Sequence, residues 1–190
     1  MIETISLTAL IFTLMSIWMT MKNNRLCWPT GLVAVVCYLF FYLKSELYLN
    51  AALQGVFIGQ SIWGWWNWGH SARNIRKSDT IYISIVISMI TLVALFLYNL
   101  TLMFPEHSDI SNPGFDSITT AMSLAGIYLT ANRRIEAWFV WMATNLMYIL
   151  MFYTRGDMIL MANYLINFPL SIWGYLEWKK IRKSQIDETV

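Results

Sequence analysis

Eleven polar or aromatic side chains in this chain fall at spacings that would gather them on common helix faces and let them hold a flat, polar molecule. Trp138, Trp141, Asn145 and Tyr148 follow one another at intervals of 3, 4 and 3 residues, one stripe of a helix. Two indoles about one turn apart, with amides nearby, can grip a ring by stacking and hydrogen bonds. A cationic ring would gain a further 0.5–2 kcal/mol or so from the aromatic faces. Asn163 and Asn167 stand one turn apart ahead of Pro169, whose ring leaves a backbone carbonyl free. Asn50, Gln54, Phe57 and Ser61 share another face, with Gln60 beside them. Each amide or hydroxyl also has a purely structural reading as hydrogen-bond glue between membrane helices. Three polar faces on corresponding helices favour a common site for at least two of them.

The missing chemistry is as informative. No Asp, Glu, Lys, Arg or His occupies the middle of an apolar run, and no nucleophile–base pair or carboxylate cluster appears, so an enzyme is not expected. Proton- and ion-coupled pumps usually need an intramembrane ionisable group. A Walker-type phosphate loop is also absent, which points to facilitated diffusion rather than pumping. Cys27 and Cys37, and likewise His70 and His107, are isolated, so no disulfide, metal or cofactor is expected. A retinal-type lysine is missing from the last three apolar runs, and nothing suggests a nucleic-acid partner.

The elements that must position these residues are membrane spans. The chain has 190 residues, 57% hydrophobic and 13% charged, against about 25% charged in a globular domain. Its mean hydropathy is +0.50. The first apolar run lacks a basic leader and a cleavage site, so it reads as a span and not a signal peptide. Seven segments are predicted: 5–21, 28–43, 47–68, 80–104, 114–131, 136–152 and 158–178. With this count, eleven basic residues (Lys22, Arg25, Arg73, Arg76, Lys77, Arg133, Arg134, Lys179, Lys180, Arg182 and Lys183) fall on one side. Two, Lys44 and Arg155, fall on the other. The positive-inside rule then puts the N-terminus outside and the C-terminus in the cytoplasm. All ten tryptophans lie toward the same basic side. An aromatic belt and packing account for Trp63, Trp65, Trp66, Trp68, Trp173 and Trp178, whereas Trp138 and Trp141 share a face with Asn145.

The second half of the chain repeats the first. Ser61-Ile62-Trp63-Gly64 recurs as Ser171-Ile172-Trp173-Gly174, and Thr20, Trp28, Tyr38, Ala52 and Trp68 recur as Thr130, Trp138, Tyr148, Ala162 and Trp178, all 110 residues on. Spans 1–3 (about 5–68) therefore match spans 5–7 (about 114–178), and the helix at 80–104 links them. An odd-numbered triplet followed by one linking span makes the two copies parallel, related by an axis along the membrane normal. The expected architecture is an all-α integral membrane protein of seven helices in a 3+1+3 arrangement. It forms a single domain over 1–190 with its cavity between the triplets.

Trp28-Pro29-Thr30-Gly31, Leu47-Tyr48, Leu53-Gln54, Phe57 and Gly64-Trp65 resemble the first half of the PnuC-type nicotinamide riboside transporters. Glu136 through Trp141, Asn145, Asn163 and Gly174 through Trp178 resemble the second half. The resemblance covers residues 10 to 180 and implies an inner-membrane facilitator of B-vitamin-like compounds, architecturally related to the SWEET sugar carriers. It implies that Trp138 and Trp141 hold the substrate ring, with amide contacts from Asn163 and Asn167 and polar contacts from span 3. It also implies a homotrimer and trapping of the substrate by a cytoplasmic kinase. One departure is Ser61, where nicotinamide riboside carriers often have asparagine. Thiamine or another B vitamin is therefore the alternative cargo, and a non-transporting assembly or sensory protein the rival from another class.

Overall fold

The computed structural model describes residues 2–44, 48–71, 73–105, 112–156 and 158–188, without the side chains of residues 2–6, 159 and 160. Glu46, His107 and Asp157 lie outside the described residues. Among the described residues there are seven α-helices: α1 (Ile2–Met21), α2 (Cys27–Lys44), α3 (Tyr48–His70), α4 (Thr80–Met103), α5 (Pro113–Ala131), α6 (Ala137–Arg155) and α7 (Met158–Asp187). By length and apolar composition α2, α4 and α6 are able to cross a membrane. The helices α3, α5 and α7 interrupt their apolar sequence with the amides, hydroxyls and glycines that concern the site.

Local chemistry sets the helix ends. Asp79 caps α4 by accepting the Tyr82 N–H at 2.7 Å, and α5 starts on Pro113 behind the cap residue Asn112. Gly156, at φ +73°, ends α6 in the left-handed conformation that glycine adopts without strain. The apolar sequence of α7 ends at Trp178, but the helix runs on to Asp187, because residues 179–187 contain no glycine or proline to stop it. Pro169 is accommodated within α7.

The helices close a circuit. α1 packs on α2 and α2 on α3; α5 packs on α6 and α6 on α7; α3 meets α5, and α1 meets α7. α4 lies against α5 and turns Ile81, Ile85, Leu92, Phe96 and Met103 outward. An apolar face of this kind suits lipid.

The most densely buried region is one end of this circuit, where Met21, Cys27, Trp28, Trp68, Ile75, Ala131, Ile135, Trp138 and Trp178 cluster. The connections here carry Lys22, Arg25, Arg73, Arg76, Arg133 and Arg134, so this is the basic end. Apart from the half-buried Trp141, the tryptophans divide into two groups. Trp18, Trp63, Trp65, Trp66 and Trp173 are exposed, as a belt requires, whereas Trp28, Trp68, Trp138 and Trp178 are core. The core indoles pack in corresponding ways 110 residues apart. The Trp28 ring lies over Gly64, where a Cβ would come within 2.4 Å of it, and Trp138 lies over Gly174 at 2.3 Å. Trp28 meets Trp68 edge-on at 5.6 Å, as Trp138 meets Trp178 at 5.5 Å. Glycine is needed at 64 and 174 because any side chain would displace an indole.

Candidate functional site

Trp141 projects from the first half of α6 into its seam with α5 and is half-buried. Its Nε1–H donates to Thr130 Oγ1 at 3.2 Å, and that hydroxyl donates to the Gly126 carbonyl at 2.8 Å. Gly126 lets the indole lie flat on α5: a Cβ there would be 2.9 Å from Trp141 Cε2. The ring is thus fixed along one edge. Its neighbour in the W-x-x-W pair is placed differently. Trp138 is only 4% exposed, wedged between Gly174 and Trp178, and its Nε1–H has no hydrogen-bond partner.

Three of the expected amides come together between α6 and α7. Asn145 Nδ2 donates to Ser171 Oγ at 2.8 Å, Ser171 Oγ donates to the Asn167 carbonyl at 2.8 Å, and Asn167 Nδ2 reaches Asn163 Oδ1 at 3.4 Å. Asn145, Asn167 and Ser171 are buried, and Asn167 Oδ1 remains without a partner. Burying an acceptor unpaired costs about 1–3 kcal/mol, so a polar group of a bound molecule would relieve it. Toward the opposite end of α6 the Tyr148 and Tyr164 rings stack at 4.4 Å, with Phe152 5.6 Å from Tyr164.

The α3 residues are dispersed rather than joined to this network. Gln60 Nε2 donates to the Leu124 carbonyl of α5 at 3.2 Å, leaving Gln60 Oε1 buried and unpaired. Ser61 Oγ turns back to the Phe57 carbonyl at 2.9 Å. Gln54 is half-buried. Asn50 lines a small cavity between α3, α4 and α5 with Thr101, Asp116, Ser117 and Thr120.

Below the site, the basic end is held shut by bonds that cross between the two halves of the chain. Trp68 Nε1 donates to the carbonyls of Thr130 (3.2 Å) and Ala131 (3.0 Å), and Trp178 Nε1 donates to the Thr20 carbonyl at 2.8 Å. Asn67 Nδ2 adds a bond to the Ala131 carbonyl at 2.7 Å. Arg133 is 3% exposed. Its guanidinium donates to Asn23 Oδ1 at 3.0 Å, Ser71 Oγ at 2.7 Å and the Trp68 carbonyl at 3.2 Å, and it lies over the Trp68 ring. Burial, and then the charge of Arg73, push its pKa down to about 10, so it stays charged at neutral pH. Asn23 and Arg133 both take positive φ, 49° and 50°, at matching places in the α1–α2 and α5–α6 turns.

Residues 3–180 match the family described as nicotinamide mononucleotide transporter. The chain belongs to that family. It is 21% identical over 175 residues to the nicotinamide riboside transporter PnuC of Escherichia coli K12, covering 78% of this chain and 73% of that protein. It is 22% identical over 176 residues to the riboflavin/roseoflavin transporter RibM of Streptomyces davaonensis, covering 88% and 81%. The crystal structure of the vitamin B3 transporter PnuC superposes with a TM-score of 0.72 at 17% identity, over 96% of this chain and 83% of that one. This is therefore a multi-pass membrane protein of a transporter family.

Two residues of the site escape the sequence pattern. Ser171 was visible only as a repeat match to Ser61, yet it joins Asn145 to Asn167. Thr130 was likewise visible only as the repeat match to Thr20, with no sign of a site role, because a threonine hydroxyl in a helix ordinarily bonds its own backbone.

Proposed function

We propose that the chain carries nicotinamide riboside across the inner membrane by facilitated diffusion. In this reading Trp141 stacks on the pyridinium ring with Trp138 behind it, and Asn145, Asn163 and Asn167 bind the amide and ribose. Gln54, Gln60, Asn50 and Ser61 approach from α3. The observation that carries the proposal is the unpaired Asn167 acceptor within the α6–α7 amide network, close along α6 to the edge-fixed, half-buried Trp141. No enzymatic step is part of it.

The bilateral contacts of the basic end support a 3+1+3 arrangement of two parallel triplets. The charge distribution supports an N-terminus outside and a C-terminus in the cytoplasm. The triplets would rock about the occupied site, the basic end opening as the opposite end closes. The resemblance adds a homotrimer and a cytoplasmic kinase that traps the nucleoside. A mononucleotide fits less well than the riboside, because its phosphate needs a cation. Arg133, a buried guanidinium at the basic end, is committed to Asn23, Ser71 and Trp68. The similarity to a riboflavin/roseoflavin carrier makes riboflavin a competitor to set beside thiamine.

The test is uptake of radiolabelled nicotinamide riboside, thiamine and riboflavin into proteoliposomes without ATP or an ion gradient. Saturable uptake of the riboside, with acceleration by unlabelled riboside on the far side, is expected. Uptake of another vitamin alone would move the substrate. No uptake of any of them would remove the transport reading.

A further inference from the structure

Thr130 stands where the candidate site meets the basic-end closure, and the two ends of the residue face the two structures. Its hydroxyl accepts from Trp141 Nε1 at 3.2 Å and donates to Gly126 O at 2.8 Å. Its carbonyl accepts from Trp68 Nε1 at 3.2 Å across the seam between the halves of the chain. No intervening network is needed, since one buried residue touches both.

The matching residue in the first half is a built-in control. Thr20 presents its carbonyl to Trp178 Nε1 at 2.8 Å and its hydroxyl to the Ser16 carbonyl at 2.8 Å, the same two backbone roles. Where Trp141 lies on Gly126 in the second half, however, the first half has Gly31 facing Ser16, whose Oγ would lie 3.0 Å from a Cβ added at Gly31. An indole is thus bonded to the threonine hydroxyl in the second half and has no counterpart in the first. Both threonines hold the closure; only Thr130 also holds a side chain of the site.

We infer that Thr130 is a positioning residue that couples occupancy at Trp141 to release of the Trp68 closure. The inference rests on the reading that Trp141 contacts the substrate. The Trp141 bond is at the long end of the N–H···O range, so a modest turn of the ring on binding breaks it. The hydroxyl of the last turn of α5 is then free to re-pair, and that turn carries the Trp68 acceptor. Packed elements of this kind shift between discrete arrangements instead of bending smoothly.

Cys27, buried in the closure, reports opening. In a Cys37→Ser background, the rate of Cys27 alkylation by N-ethylmaleimide is measured with and without saturating nicotinamide riboside, beside equilibrium binding of the labelled compound. The substrate should speed alkylation in the otherwise unchanged protein. Thr130→Val should bind about fivefold more weakly and lose the substrate-dependent acceleration even at saturation. Thr130→Ser, which keeps the hydroxyl, should restore it, and Thr20→Val, which shifts the basal rate because Thr20 also bonds the Cys27 thiol, should retain the same fold acceleration over that basal rate. The inference is overturned if Thr130→Val accelerates normally, if Thr20→Val loses as much, or if the substrate never speeds alkylation. Undiminished binding by Trp141→Phe would instead overturn the reading of the site, and that arm is scored on binding alone.

Discussion

Residues 16–68 and 126–178 match at a fixed offset of 110 residues, and they agree and differ in different places. Thr20, Trp28, Ser61, Gly64 and Trp68 match Thr130, Trp138, Ser171, Gly174 and Trp178, and nearly all of these pack or hydrogen-bond alike in both halves. Trp141, Asn145, Asn163 and Asn167 stand opposite Gly31, Val35, Leu53 and Phe57. The shared residues hold helix on helix and half on half. The unshared ones form the polar network and the edge-fixed indole. An asymmetric molecule between two halves related by a two-fold axis would need unlike contacts from the two sides, which is why the proposed site is placed where the repeat is broken.

The sharpest way to break this comparison is at the paired glycines. Gly64→Val and Gly174→Val should each destabilise by about 3 kcal/mol, since the new side chain enters the space of Trp28 or Trp138. Thermal unfolding in detergent should show two similar losses; one large and one negligible loss would deny that the halves share a scaffold. Next come the crossing indoles. Trp68→Phe and Trp178→Phe each remove a donor to the other half and leave a small cavity, at a cost of about 2 kcal/mol. The same unfolding assay should find them equal.

Serine separates the halves. Ser171→Ala strands the buried Asn145 amide and should cost about 1–2 kcal/mol as well as weaken substrate binding, whereas Ser61→Ala loses only a bond to its own helix. Equal effects in a binding assay would deny the asymmetry. The smallest effect is expected of Gly126→Ala. Its methyl would press on the Trp141 ring, which can tilt away, weakening binding by about fivefold, or about 1 kcal/mol, with little change in melting temperature.

Helix count and order were legible in the sequence because long apolar runs and their basic connections leave few alternatives. Helix ends were less so: α7 outlasts its apolar stretch because residues 179–187 favour helix as readily in water. The ring-on-glycine pairs were legible as matched letters, but their meaning was not. A fixed offset reveals that Trp68 and Trp178 correspond, not that each donates to the other half. Periodicity tells which residues share a face without telling which helix that face meets. Asn145 of α6 thus meets Asn167 and Asn163 of α7 through Ser171, a meeting that spacing within each helix does not show, while Asn50 faces a separate cavity with Asp116 and Ser117. The W-x-x-W spacing likewise could not separate Trp138, sealed in the core, from Trp141 at the network's edge.

The most direct test is equilibrium binding of labelled nicotinamide riboside to the purified protein and to Trp141→Phe and Trp28→Phe, each checked for folding. The account predicts that Trp141→Phe weakens binding by about tenfold, or about 1.4 kcal/mol, while Trp28→Phe lowers stability and leaves affinity nearly intact. Equal losses in the two variants, or a greater loss for Trp28→Phe, would contradict the claim that the site lies where the two halves differ.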